Sequence, residues 1–184
     1  MSGPPPDDGP ADEPDDGPDE EPDAWSEVRP ATDADSAAVI ALIESCFSEY
    51  DGCVLDTETE MIHLLRVASH FAAVKGCSWV AEVDGSVVGS VACRPAGDPS
   101  GLELQMLYVL APWRNRGLGS RLVALVESEA AGRGSTFVEL WSDTRFIEAH
   151  RLYHSLGYIQ LPGIRELRDL SASREYQFTK FFST

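Results

Sequence analysis

Residues 103–126 read ELQMLYVLAPWRNRGLGSRLVALV, and the fold is decided on this stretch. Leu102 to Leu110 is an apolar-rich run of strand length. Ala111 to Gly119 is a loop of Pro, Arg, Asn and Gly. From Leu118 onward the apolar residues Leu118, Leu122, Leu125, Val126 and Ala130 recur at helical spacing. A strand, a basic glycine-bearing loop and the start of a helix are therefore expected in direct succession. A helix N-terminus presents unpaired N–H groups and a partial positive charge, which attract phosphate. Gly117 and Gly119 allow the backbone to come close to a ligand. Arg114, Arg116 and Arg121 place three positive charges within eight residues, in a chain whose net charge is −17.

Two phosphate-binding patterns fail on this loop. The dinucleotide pattern G-x-G-x-x-G would need glycine where Leu122 stands, and the P-loop pattern would need a lysine that is absent. The pattern that fits is Arg-x-x-Gly-x-Gly, as Arg114-Asn115-Arg116-Gly117-Leu118-Gly119. It resembles the pyrophosphate loop of the GNAT superfamily of N-acetyltransferases. A second stretch, Ala149-His150-Arg151-Leu152-Tyr153-His154-Ser155-Leu156-Gly157-Tyr158, is similar to that family's late helix, Ala-x-x-x-Tyr-x-x-x-Gly-Phe/Tyr.

The rest of the chain is consistent with one domain. Residues 1–23 hold ten acidic residues, no basic ones, seven prolines and three glycines. Such a segment cannot bury enough apolar surface to offset its ordering entropy. Residues 1–24 are thus expected to be a disordered acidic, Pro-rich tail, and residues 25–184 the acetyltransferase domain. The start lacks the basic and apolar regions of a signal peptide, and no apolar run is long enough to span a bilayer. Cys46, Cys53, Cys77 and Cys93 show no Cys-x-x-Cys spacing, which argues against a zinc site or redox pair. A cytoplasmic protein with free thiols and no metal is expected. The acidic balance argues against nucleic-acid binding and favours a cationic acceptor such as a polyamine, an aminoglycoside or lysine.

In chain order, strand Glu27–Pro30 is followed by a helix capped by Thr32, with Val39, Ile40, Ile43 and Phe47 on its apolar face. A second helix is expected over Glu58 to His70. Strands Ser78–Val83 and Val87–Cys93 are joined by Asp84-Gly85, a hairpin signal. The central strand, phosphate loop and third helix come next, then a strand at Thr136–Trp141, a helix at Phe146–Ser155, and strands at Tyr158–Leu161 and Glu175–Phe181. This order matches the GNAT fold. The expected class is α/β (α+β), with a mixed sheet of about six to seven strands flanked by about four helices. The charged stretch Arg165–Ser171 reads as a solvated loop, with a cover over the acceptor site as the alternative.

The resemblance implies an acetyl-CoA-dependent N-acetyltransferase acting on a primary amine of a small molecule or peptide by direct attack. The alternative is an acyl-CoA-binding module that transfers nothing. In the family, backbone groups of the central strand align the pantetheine arm, here at Leu107, Tyr108 and Val109. The loop amides from Asn115 through Arg116, Gly117, Leu118 and Gly119 to Ser120, aided by the Arg114 and Arg116 side chains, would hold the pyrophosphate. Tyr153 stands where the family often has a general acid. Glu103 is the first candidate base and Asp143 the second, while Asp56 and Glu58 could bind a cationic acceptor. Alternation puts Glu103 and Gln105 opposite Leu102, Leu104 and Met106. Phe146 replaces an asparagine that the family often has at the start of the late helix. His150 and His154 are four apart but lack a third ligand, so a metal site is not expected. The last strands are a candidate homodimer surface.

Overall fold

The computed structural model describes residues 27–182. The expected disordered tail lies outside the described residues. Twelve elements follow one another. They are β1 (Glu27–Pro30), α1 (Ser36–Phe47), α2 (Val67–Ala73), β2 (Cys77–Val83), β3 (Ser86–Pro95), β4 (Gly101–Val109), α3 (Leu118–Gly132), β5 (Phe137–Asp143), α4 (Ile147–Ser155), β6 (Ile159–Gln160), β7 (Arg165–Glu166) and β8 (Arg174–Phe181). The strands form one sheet in the order β1-β2-β3-β4-β5-β8-β6, with β7 also pairing β8. Of these pairings only β4 with β5 is parallel. The mixed sheet and four helices are those expected; β6 falls within the expected Tyr158–Leu161 strand, and the two-residue β7 raises the strand count to eight.

Alternating side chains divide the core between the two faces of the sheet. Ala81, Val91, Cys93, Leu102 and Leu104 pack with Leu118, Leu122 and Val126 of α3 and Tyr153 of α4. Val80 packs with Val39 and Ile43 of α1 on the other face, and Ala92 with Val67 and Phe71 of α2. The hairpin between β2 and β3 turns at Asp84 (φ 48°) and Gly85 (φ 77°), the double positive φ that an Asp-Gly turn supplies. Ahead of α1, the Asp35 carboxylate accepts the Thr32 N–H at 2.7 Å and its hydroxyl at 2.9 Å.

The second helix differs from expectation. Glu58–His70 is not one helix. Asp56 caps a turn by accepting the N–H groups of Glu58 and Thr59, a 3₁₀ segment covers Ile62–Arg66, and α2 begins only at Val67. Arg66, at φ −145° and ψ 62°, breaks the ladder between the two helical pieces. The break rotates the apolar face, so Leu64, Val67 and Phe71 are buried and Leu65 is 53% exposed.

Candidate active site

β4 joins β5 only over Gly101–Leu104, paired with Phe137–Leu140. Beyond Leu104, β5 continues with β8 and β4 continues with β3. The two central strands therefore part, and the β5-facing edge of Gln105–Val109 carries no strand partner. A bulge bends β4 at that point. Ala92 faces Gln105 and Ser90 faces Tyr108, so Val91 alone opposes Met106 and Leu107. Met106 takes φ 56°, and its carbonyl accepts the Ser90 hydroxyl at 2.9 Å.

The extra residue reverses the alternation. Leu102 and Leu104 join the α3 side of the core as expected. Met106 does not follow them and packs on the α1 and α2 side. Tyr108 follows Met106, while Leu107 and Val109 return to the α3 side.

Two cavities open where β4 and β5 part, one of about 300 Å³ and one of about 480 Å³. Leu107, Tyr108, Phe146 and Ala149 line both. The smaller cavity reaches the loop before α3 and touches Asn115, Gly117, Gly119 and Ser120. Asn115 (φ 59°) and Gly117 (φ 83°) are both left-handed, and no side chain caps the helix at Gly117. The helical ladder starts with the Arg121 N–H donating to the Gly117 carbonyl at 3.0 Å. The N–H groups of Leu118, Gly119 and Ser120 thus lie ahead of the ladder, at the positive end of the helix. A Cβ on Gly119 would meet Leu152 at 3.0 Å, so only hydrogen fits easily between the loop and α4. A phosphate fits this uncapped cradle.

Eight of the ten residues expected to hold a cofactor line this cavity; Arg116 and Leu118 do not. Leu118 is buried in the core, and Arg116 is exposed with its guanidinium 5.2 Å from the Trp113 ring centroid. Arg114 lines the cavity, but its side chain is engaged elsewhere. Both amino nitrogens donate to Glu49 at 2.6 Å, and Nε donates to the Val109 carbonyl at 2.8 Å. It clamps the end of β4 to the turn after α1. Aromatic rings stand where an asparagine was absent: Phe146 lies 4.8 Å from Tyr50 and 6.0 Å from Phe47.

The larger cavity holds most of the ionisable groups. Tyr153 lines it, packed against Tyr158 and Phe178. Burial raises the pKa of its phenol well above the ordinary value, so the hydroxyl keeps its proton. Asp143 also lines the cavity. Burial pushes its pKa up, but Arg145 outweighs that and holds it below the usual carboxylate range, with Nε at 2.8 Å and Nη2 at 2.6 Å. Glu103 lies outside both cavities. It accepts Arg94 at 2.9 and 3.1 Å and Gln105 at 2.8 Å, and it is Gln105 that faces the larger cavity. Asp56 and Glu58 are outside it as well; Glu60 and Met61 line it instead.

Sequence reasoning missed Glu175. This residue is the second of β8, directly across from Asp143, and lines the larger cavity. Its side chain is 16% exposed, and burial raises its pKa despite the hydrogen bonds from Arg165. No local motif marks it; only the β5–β8 register brings it to the site.

The stretch Arg165–Ser171 begins as β7 and is exposed at Arg165, Glu166, Arg168 and Leu170, as a solvated segment would be, yet it is tied over the larger cavity. Ser171 donates to and accepts from the Val54 backbone (3.1 and 2.8 Å), and the Leu170 N–H donates to Glu60 at 2.9 Å. Leu167, Arg168, Asp169 and Ser171 accordingly line the larger cavity. His150 is buried against Tyr176 and Phe178, whereas His154 is exposed. Among the described residues no group of three or more His, Cys, Asp or Glu side chains could hold a metal. All four cysteines are free thiols, and no described helix is long and apolar enough to cross a membrane.

Comparison with known proteins agrees with this geometry. The family model "Acetyltransferase (GNAT) family" matches residues 38–158. N-acetylaspartate synthetase from Homo sapiens is 35% identical over 82 residues, covering 45% of this chain and 27% of that protein. N-acetyltransferase 8 from Homo sapiens is 31% identical over 121 residues, covering 64% and 52%. The chain thus spans about half or less of the length of these relatives. A Salmonella typhimurium acetyltransferase solved with acetyl-CoA superposes with a TM-score of 0.66 at 18% identity, covering 84% of this chain and 92% of that one. With the pyrophosphate-type loop, the parted central strands and a family match over residues 38–158, the chain belongs to the acetyltransferase (GNAT) family.

Proposed function

We propose that the protein is an N-acetyltransferase that takes its acetyl group from acetyl-CoA and delivers it to a primary amine. The observation that carries this reading is the opening between β4 and β5. It lies between the uncapped start of α3 on one side and a cavity lined by Tyr153, Asp143 and Glu175 on the other. Acetyl-CoA supplies an activated acyl group as a thioester. The N–H groups at the start of α3 hold its pyrophosphate, and the open edge at Leu107, Tyr108 and Val109 aligns the pantetheine arm. Names and bound ligands among the relatives support the same chemistry.

An alkylammonium acceptor has a pKa of roughly 10 and must lose a proton before it can react. Glu175 is the base we assign, in place of Glu103. It faces the cavity, and its raised pKa brings it closer to the operating pH. Glu103 acts at one remove, by orienting Gln105. Tyr153, protonated at neutral pH, gives its proton to the departing thiolate.

The test is calorimetry with acetyl-CoA on the wild type and on a Gly117→Trp, Gly119→Trp variant, both shown folded by circular dichroism. Micromolar binding that the variant loses is the expected result. Wild-type protein that is folded but binds no acetyl-CoA overturns the reading. Release of free CoA on adding an amine separates the enzyme from a module that only binds.

A further inference from the structure

The larger cavity is lined by charges of both signs, with Arg168 its cation among the described residues, while two arginines outside the lining, Arg145 and Arg165, are held by its carboxylates. Arg145 is committed to Asp143 and to the carbonyls of Asp51 and Ser171. Arg165 donates to Glu175 and stacks 4.0 Å from the Trp141 ring centroid. Arg168 lines the cavity and has no hydrogen bond or ion pair among the described residues. The neighbouring Leu170 and Ser171 are tied across the cavity to Glu60 and Val54, which holds the Arg168 segment over it. On the opposite strand, Glu175 offers a carboxylate oxygen, Oε1, that no described donor occupies. The same cavity is also lined by the apolar side chains of Phe47, Met61, Trp141 and Leu167.

We infer that the acceptor is an α-amino acid with an apolar side chain and a free carboxylate. Its amine would sit at Glu175, its carboxylate at the Arg168 guanidinium, and its side chain among the apolar residues. This rests on the transferase reading above. A guanidinium pairs with a carboxylate through two parallel N–H donors, which fixes orientation as well as charge. A polyamine would instead bring a second cation against Arg168. A dicarboxylate would bring extra negative charge among Glu60, Asp143 and Asp169. The 480 Å³ volume lies within the range of small-molecule sites.

The test measures CoA release with L-leucine and L-phenylalanine, with their amides, with isoamylamine and phenethylamine, and with spermidine, on the wild type and on Arg168→Gln. The wild type should favour each amino acid over its amide by about tenfold or more, the scale of one charge-assisted hydrogen bond. Arg168→Gln should abolish that preference by raising KM for the amino acids. The readout is the ratio: KM for the amino acids should rise more than KM for isoamylamine and phenethylamine, which offer Arg168 no acceptor group. Acetyl-CoA affinity should not change. Equal use of acid and amide, a preference that survives Arg168→Gln, or spermidine as the best acceptor overturns the inference and leaves the transferase reading standing. Acetyl-CoA binding without CoA release on any of these amines overturns both.

Discussion

Arg165 holds Glu175 by one carboxylate oxygen. Its Nε and Nη2 both donate to Oε2, at 2.8 and 2.5 Å, and Oε1 is left to the cavity. The pair across the strand is built differently: Arg145 takes both oxygens of Asp143. Two carboxylates face each other in register, and only one keeps an oxygen available for an acceptor amine.

Replacing Glu175 with glutamine should lower kcat/KM by about 10²–10⁴-fold, the usual worth of a general base, while acetyl-CoA affinity stays the same. The pH profile carries a second signature. A base works only when deprotonated, so the rate falls as pH drops through its pKa. Burial raises that pKa, so the acid limb should lie above the ordinary glutamate value of about 4.3. Arg165 opposes the rise, and Arg165→Ala should therefore move the limb still higher. A limb that does not move would exclude Glu175 as the base.

The two arginines of the loop should behave differently. Arg114→Ala breaks its bonds to Glu49 and to the Val109 carbonyl, and should cost about 1–2 kcal/mol of stability, discounted for partial exposure. Arg116→Ala removes an exposed side chain and should shift stability by less than about 0.5 kcal/mol. Thermal melting distinguishes them. An unchanged melt for Arg114→Ala would mean the clamp contributes nothing to the fold.

Acid stability should depend on Asp35. Hydrogen bonds from Arg29 hold its carboxyl well below the usual range, and its side chain is 10% exposed. The native state then binds fewer protons than the unfolded chain. The stabilisation is complete above the unfolded value of about 3.9 and is lost as pH falls through the lower native value. Asp35→Asn should cost about 2 kcal/mol near neutral pH and flatten the acid side of the stability curve. Urea melts at several pH values would show a parallel offset instead if Asp35 contributed nothing to the pH dependence.

The strand–loop–helix joint ahead of α3 was legible because its signals are local. Glycine spacing, a basic cluster and the onset of helical periodicity all sit within a few residues, and α3 begins at the expected Leu118. The hairpin at Asp84-Gly85 was legible for the same reason. What escaped depends on contacts distant in sequence. The cover over the larger cavity is fixed by Ser171 meeting Val54, 117 residues away, and β7 has only two residues in which to reveal itself. Glu175 needed the β5–β8 register. Met106 was assigned the wrong face because alternation cannot anticipate a bulge.

That bulge also makes β4 sensitive to length. Deleting Met106 would give β3 and β4 equal residue counts between the Ala92–Gln105 and Ser90–Tyr108 pairs, and would remove a left-handed residue. The sheet could then gain stability as a regular ladder. Yet the bend at which β4 parts from β5 would be lost, and with it the shape of the wall at Leu107 and Tyr108 that both cavities share. Variants selected only for heat resistance would tend to lose this residue, whereas selection for turnover would keep it. A single position in the middle of the sheet therefore sets robustness against reactivity.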